Sequence, residues 1–130
     1  MKDTFHDTKV VQAVAPAVLS ANQNGAVIDL RGFDSALFVI NTGAIDAAGA
    51  FGLKLQESDT TTSGDFTDVA PEDQLGTLPT TLEANSAYRI GYIGSKRKSY
   101  VRVVATKTGG TSLALGVVAV LGHPHVAPVA

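Results

Sequence analysis

The sequence predicts an all-β protein, an antiparallel β-sandwich of about eight short strands with extended terminal arms. Three observations support this prediction. β-Branched and aromatic residues alternate with polar ones, clusters of turn-forming residues interrupt the chain at short intervals, and no segment has the hydrophobic spacing of a long helix. A jelly roll, a Greek-key sandwich and a β-tulip-like fold share this pattern, so the strand order stays open.

The clearest strand signals lie between Tyr88 and Gly122. Alternation over residues 88–93 predicts one strand, and the polar segment Ser95 to Ser99 should reverse the chain into a second strand ending near residue 106. A glycine-rich turn then leads to Leu113–Leu121, which is almost wholly apolar. This run predicts a strand that is covered on both faces.

The N-terminal part is predicted to contain two strands separated by a turn. Residues 9–14 form the first, which should end at Ala15-Pro16 because proline cannot donate a hydrogen bond to a strand ladder. Asn24-Gly25 is the strongest single turn signal of the chain. Ala26, Ile28 and Leu30 should then share one face of the next strand, with Val27, Asp29 and Arg31 on the other.

The middle of the chain is predicted to alternate between strands and loops. Ala36 to Asn41 is an apolar strand, and residues 43–52 are a small-residue loop whose glycines disfavour a helix. Leu53 to Val69 has the pattern of a hairpin. Pro71 suits the first position of one helical turn, and a short edge strand is expected around Leu78 to Leu82.

Length and composition limit the possible classes of protein. The 130 residues are predicted to form one sandwich domain, 1–130, with extended arms at 1–8 and 123–130. The absence of cysteine excludes disulfides and thiolate chemistry. A net charge of -2 gives no general attraction to nucleic acid or to an anionic membrane. Neither a secretory signal nor a membrane-spanning segment is predicted, so we expect a soluble intracellular product.

The chemical motifs are weak, so neither an enzyme nor a bound cofactor is predicted. His123 and His125 are spaced to face one side of an extended segment and bind a metal, but two ligands make a poor site. We favour a terminal arm that contacts a partner. The carboxylates within residues 57–68 offer calcium chemistry, yet their spacing does not fit the EF-hand pattern and a solvated loop is favoured. No nucleophile and base can be paired.

One basic segment is a candidate for binding a partner. Lys96, Arg97 and Lys98 occupy the predicted turn, and Arg89 and Arg102 lie on the strands that flank it. Together they would form a positive patch that meets an acidic protein surface or DNA phosphate. The alternative is a solvated turn that protects a sheet edge from aggregation.

Four segments carry a resemblance to a known class of proteins. They are VVQAVAP, KLQESDTTTSGDFTDV, GYIGSKRKSYVRVV and GHPHVAP, in that order along the chain. The chain resembles small virion proteins encoded in the head and head–tail gene region of tailed double-stranded DNA bacteriophages and prophages. The resemblance covers most of the chain.

The resemblance implies a structural role without enzyme activity. Within this class we favour a capsid decoration, or cement, protein that binds the major capsid protein or other virion proteins. The resemblance implies that it is made in the bacterial host cytoplasm and lies on the capsid surface of the virion. Such proteins often act as dimers or trimers. A head–tail connector or a tail component is the alternative within the same class.

A carbohydrate-binding module is the rival from a different class. Sandwich loops suit glycans, and tyrosines are the side chains that stack on sugar rings. Only Tyr88, Tyr92 and Tyr100 are present, with Tyr88 and Tyr92 on the same strand face.

Overall fold

The computed structural model describes residues 4–92 and 98–125, which form ten β-strands, one short α-helix and two single-turn 3-10 helices. The bounds are α1 Thr4–Asp7, β1 Lys9–Leu19, β2 Gln23–Asn24, β3 Ile28–Asp29, β4 Phe33–Asp46, β5 Ala50–Ser58, β6 Thr67–Asp68, β7 Gln74–Leu75, β8 Ala87–Tyr92, β9 Tyr100–Gly109 and β10 Ser112–Pro124, with 3-10 turns at Ser63–Asp65 and Pro71–Asp73. None of the described helices is long and apolar enough to cross a membrane.

The strands form two antiparallel sheets. Sheet A has the order β1-β10-β4-β8-β7, and sheet B has the order β2-β9-β5-β6, with β3 also pairing with β9. The pairs are nested: β1 with β10, β2 and β3 with β9, β4 with β8, and β5 with β6. The predicted antiparallel β-sandwich is confirmed, and the nesting is that of a jelly roll.

The hydrophobic core lies between the two sheets. Phe38 of β4, Phe51 and Leu55 of β5, Val101 of β9 and Leu121 of β10 are almost completely buried there. Each belongs to the alternating set of residues that its strand points inward. Burying a side chain of this size contributes about 1.5–3 kcal/mol, so the inner rows supply most of the stability.

β10 is covered on one face rather than on both as predicted. Val117 points into the core and is 1% exposed, whereas its neighbour Val118 points outward and is 36% exposed. The prediction was wrong because the described sandwich has two layers, so the outer side of sheet A carries no third layer. An apolar run of this kind indicates burial on both faces only where something else covers the second face.

β1 continues past the point where Pro16 was expected to end it. It pairs with β10 up to Leu19, with irregular register between Val14 and Ala17. Ala15 and Pro16 therefore lie outside the regular ladder. Proline is tolerated here because β1 is an edge strand and the irregularity removes the need for a donor.

The predicted loop at residues 43–52 is mostly strand. β4 extends to Asp46 and β5 begins at Ala50, so the connection is only three residues long. Ala47 and Ala48 have the positive φ values, 47° and 57°, that this tight reversal needs. Gly110, with φ 68°, passes so close that a side chain there would collide with the Ala48 carbonyl.

Three other local predictions have mixed outcomes. The hairpin of residues 53–69 is confirmed as β5 and β6, and Pro71 begins a helical turn. The edge strand expected at Leu78 to Leu82 is wrong, because the ladder with β8 is made by Gln74–Leu75 instead. The connection at residues 95–99 lies mostly outside the described residues; it joins strands of different sheets.

The described parts of both predicted arms are folded against the sandwich. Thr4–Asp7 forms one helical turn rather than an extended arm. At the other end, Pro124 pairs with Phe33, and the His125 amide donates to the Gly32 carbonyl over 2.8 Å. Residues 1–3 and 126–130 lie outside the described ranges.

Candidate protein-binding surface

The outer face of sheet A is apolar and exposed. Seven large hydrophobic side chains are exposed among the described residues, and five of them lie on this face. These five are Val10, Val18, Val39, Leu75 and Val118. The clustering is unusual, because exposed hydrophobic residues on a folded chain are normally scattered.

One apolar row crosses all five strands of sheet A. In cross-strand order it consists of Val10, Val120, Leu37, Gly91 and Leu75. The Leu75 side chain stands over Gly91, 3.1 Å from where a Cβ on that glycine would lie. Leu75 therefore covers Gly91, and its own side chain is exposed at this end of the row.

A second row lies beside the first. Gln12, Val118, Val39 and Arg89 follow one another across β1, β10, β4 and β8. Arg89 is exposed, and its side chain makes no hydrogen bond or ion pair with any described residue. It is thus a cation at one border of an apolar face.

Shallow depressions mark this face on both sides of the rows. One of about 590 Å³ runs between β1 and β4, with Pro16 and Val18 on one wall and Val39 on the other. A second, of about 560 Å³, lies under α1, where Asp7 shares the lining with Leu37 and Val120. Their linings are mainly apolar, which suits contact with protein side chains.

The described residues of the predicted basic patch do not lie together on one surface. Arg102 belongs to sheet B, where its guanidinium is 2.8–2.9 Å from the Gln56 and Ser63 oxygens and 4.5 Å from the Phe66 ring centroid. Only 8% of Arg102 is exposed, while Arg89 is exposed on sheet A.

Lys98 is the third member of the patch within the described ranges. It forms an ion pair with Asp59, with Nζ and Oδ2 3.1 Å apart. Lys96 and Arg97 lie outside the described residues. A partner-binding role for these residues stays a prediction.

The two histidines hold the end of β10 against the start of β4. His123 Nδ1 lies 2.9 Å from the Ser35 hydroxyl, and His125 Nε2 lies 2.8 Å from the Asp34 carboxylate. They therefore engage different neighbours instead of converging on one point. Both are exposed, and their contact with a partner stays a prediction.

The carboxylates of the β5–β6 hairpin each have a different partner. Glu57 accepts from the Tyr92 hydroxyl, Asp59 pairs with Lys98, Asp65 accepts from the Thr60 hydroxyl, and Asp68 accepts from Gln56 and pairs with Lys54. No group of three or more His, Cys, Asp or Glu residues in the described part of the chain is placed to hold a metal.

Hydrogen bonding also changes the acidity of one of these groups. The Gln56 amide, followed by the Lys54 ammonium, lowers the pKa of Asp68 below its ordinary value because both stabilise the charged carboxylate. Asp68 is on the outside of sheet B, so the polar groups of that face satisfy one another.

The three tyrosine side chains contact other residues of the same chain. Tyr92 is 2% exposed, and its hydroxyl donates to Glu57 over 2.7 Å. Tyr88 is half-buried against the core. The Arg31 guanidinium lies over the Tyr100 ring, 5.5 Å from its centroid. A flat aromatic platform of the kind that binds sugars does not form from Tyr88 and Tyr92.

Comparison with known proteins identifies the fold. A scan against family models finds no match, and a search of curated proteins finds no significant match. The structure is similar to the SPBc2 prophage-derived protein YomS, with a TM-score of 0.51, 10% sequence identity, and coverage of 88% of this chain and 92% of that chain. A chain from the structure of infectious bursal disease virus, Gx strain, gives a TM-score of 0.44, 14% identity, and coverage of 89% of this chain and 32% of that one.

Proposed function

We propose that this chain is a structural virion protein that decorates the outer surface of a phage head and stabilises it by binding the major capsid protein. Its role is contact between proteins rather than catalysis. The resemblance of four sequence segments to phage virion proteins supports the phage context. The similarity in fold to a prophage-derived protein is consistent with that context.

The observation that carries a role in protein–protein contact, rather than in catalysis, is the apolar outer face of sheet A. When a second protein covers an exposed apolar face, removal of that face from water favours association by about 25 cal/mol per Å² of apolar surface. The face is open across five strands, whereas small-molecule sites are usually enclosed and lined by a few converging polar groups.

Repetition on a shell makes modest contacts sufficient. A capsid presents many identical sites, and a decorating protein that bridges neighbouring sites binds each additional one at a high effective concentration. Each contact can therefore be weak while the decorated shell gains considerable stability.

The direct test is to add the purified protein to phage heads assembled without it. We expect it to co-sediment with the heads and to raise the temperature at which they break open. Val27→Ser, an exposed change away from sheet A, serves as a folded control that should bind like the parent. Co-sedimentation with tails or connectors instead of heads would contradict the decoration role. Binding to no virion component would contradict the proposal as a whole.

A further inference from the structure

We propose that the outer face of sheet A is the contact between two copies of this chain, related by a twofold axis that passes over Leu37. This contact between copies deepens the proposed function by giving this face to a second copy, so the assembled dimer would meet the capsid through its other surfaces, and the mass of the free protein tests it without any capsid. We assign the face to a second copy because the border of the face carries one positive and one negative charge. When an identical face is turned over onto it, each charge meets the opposite charge of the other copy.

The two charges concerned are Arg89 and Asp7. Neither side chain makes a hydrogen bond or ion pair with any described residue. Arg89 lies on β8, one row to one side of the apolar row that contains Leu37. Asp7 lies in α1, which directly precedes the edge strand β1. It lines a depression with Leu37, Val120 and Gly122, on the other side of the apolar row.

Arg89 and Asp7 therefore lie at opposite ends of one diagonal of the face, with Leu37 between them. Consider a twofold axis that lies in the plane of contact and runs along the other diagonal. Rotation about this axis places the Arg89 end of one copy over the Asp7 end of the other. It brings each Arg89 opposite the partner's Asp7, and it does so twice because a twofold contact is isologous. The same operation places Leu37 of one copy against Leu37 of the other.

The packing geometry is compatible with this arrangement. Face-to-face sheets lie about 10 Å apart, a gap that an arginine side chain can largely cross. A diagonal axis makes the strands of the two sheets cross steeply, and orthogonal crossing is one of the two common ways in which sheets pack. The contact would combine an apolar centre with a charged border, the usual anatomy of a protein interface.

The composition of the face favours a permanent contact. Val39 and Val118 at its centre are neighbours across β4 and β10, and most of the outward positions around them carry valine, leucine, alanine or glycine. Interfaces between identical subunits are more apolar than those of transient complexes. The central strands of sheet A thus have the composition of an interior sheet on both sides.

The first experiment measures the mass of the purified full chain by sedimentation equilibrium over a range of concentrations. We expect a dimer, with twice the 13.4 kDa mass of the chain. Val118→Glu places an unpaired charge at the centre and should weaken association by about 100-fold or more. Lys54→Glu, an exposed charge reversal on sheet B, is the matched control and should associate like the parent. A chain that stays monomeric, or a trimer, would overturn the proposal.

A charge exchange tests the pairing itself. Arg89→Asp and Asp7→Arg should each weaken the dimer by about tenfold or more, because each sets like charges opposite one another. The double variant restores opposite charges and should regain most of the parent affinity. If the loss of association free energy in the double variant equals the sum of the losses in the two single variants, the proposed twofold arrangement is wrong.

Cross-linking provides a readout that does not depend on weakening the contact. The chain contains no cysteine, so Leu37→Cys introduces a single thiol at the proposed axis. A bis-maleimide that spans about 10 Å, the distance between packed sheets, should link two Leu37→Cys chains efficiently. Lys54→Cys on sheet B should be linked far less, and equal linking of both would contradict the assigned face. Circular dichroism of every variant confirms that it is folded.

Discussion

The two sheets of this sandwich differ most on the sides that face away from the core. On sheet B, Arg102 is held by Gln56 and Ser63 and packs over Phe66, while Asp68 pairs with Lys54. On sheet A, the corresponding positions carry mainly valine, leucine and alanine, and the charge of Arg89 has no described partner. Sheet B is complete within one chain, whereas sheet A exposes a surface of the kind that proteins normally cover.

This difference separates residues that stabilise the fold from residues that are free to bind. Polar groups satisfied inside a chain contribute to its stability and are poorly placed to recognise a partner. Unsatisfied charges and exposed apolar side chains contribute little to the fold. Substitutions that compare the two kinds of residue therefore separate the two roles, and the loss of stability should be largest in the core and smallest at an exposed ion pair.

The largest effect is expected between the two faces of a single strand, β4. Phe38 is fully buried and Val39 is 36% exposed. Phe38→Ala should lower the free energy of unfolding by about 3–5 kcal/mol, because it leaves a cavity in the core. Val39→Ala should lower it by less than about 1 kcal/mol. Urea unfolding at a concentration that keeps the chain monomeric measures both, and equal losses would show that the outer face of sheet A is packed like the core.

A smaller effect is expected from comparing the two arginines. Arg102→Met removes the hydrogen bonds to Gln56 and Ser63 and should cost about 1–3 kcal/mol of stability. Arg89→Met should change stability by no more than about 0.5 kcal/mol, because Arg89 has no described partner to lose. Thermal unfolding of the two variants checks this order. A larger loss for Arg89→Met would mean that the outer face of sheet A contributes to the fold.

The smallest effect concerns pH. Because the pKa of Asp68 is lowered in the folded chain, its contribution to stability is present above the ordinary aspartate pKa of 3.8 and is lost as pH falls through the folded value. The gain should stay below about 1 kcal/mol, since the group is largely exposed. Asp68→Asn should reduce the drop in melting temperature between pH 6 and pH 3. An unchanged drop would show that sheet B gains nothing from this pair.

The sequence predicts the local features of this fold well. Alternation locates the strand at Leu53–Ser58 and the inward set of Tyr88 to Tyr92, and proline preference correctly assigns Pro71 to a helical turn. These features depend on neighbours within a few positions. The strand at residues 43–46 escapes prediction because its pairing with β10 is non-local, and glycine and alanine carry little strand signal of their own.

The candidate surface is harder to predict for the same reason. Arg89 and Arg102 flank one turn in the sequence, but the chain crosses between sheets at that turn, so the two residues belong to opposite layers. The apolar run Leu113–Leu121 is the one signal that points to the exposed face of sheet A. It correctly indicates that β10 has apolar side chains on both faces. Within one chain, sheet B covers only the inner face.

The position of β10 determines when the protein can fold. This strand is made after every other described strand, yet it lies between β1 and β4 and completes sheet A. While the ribosome is still translating the region before residue 112, the inward valines and phenylalanines of β1 and β4 have no neighbouring strand between them. Formation of sheet A must therefore wait until β10 has emerged from the ribosome, and chains that terminate before residue 112 expose apolar strands to chaperones and proteases.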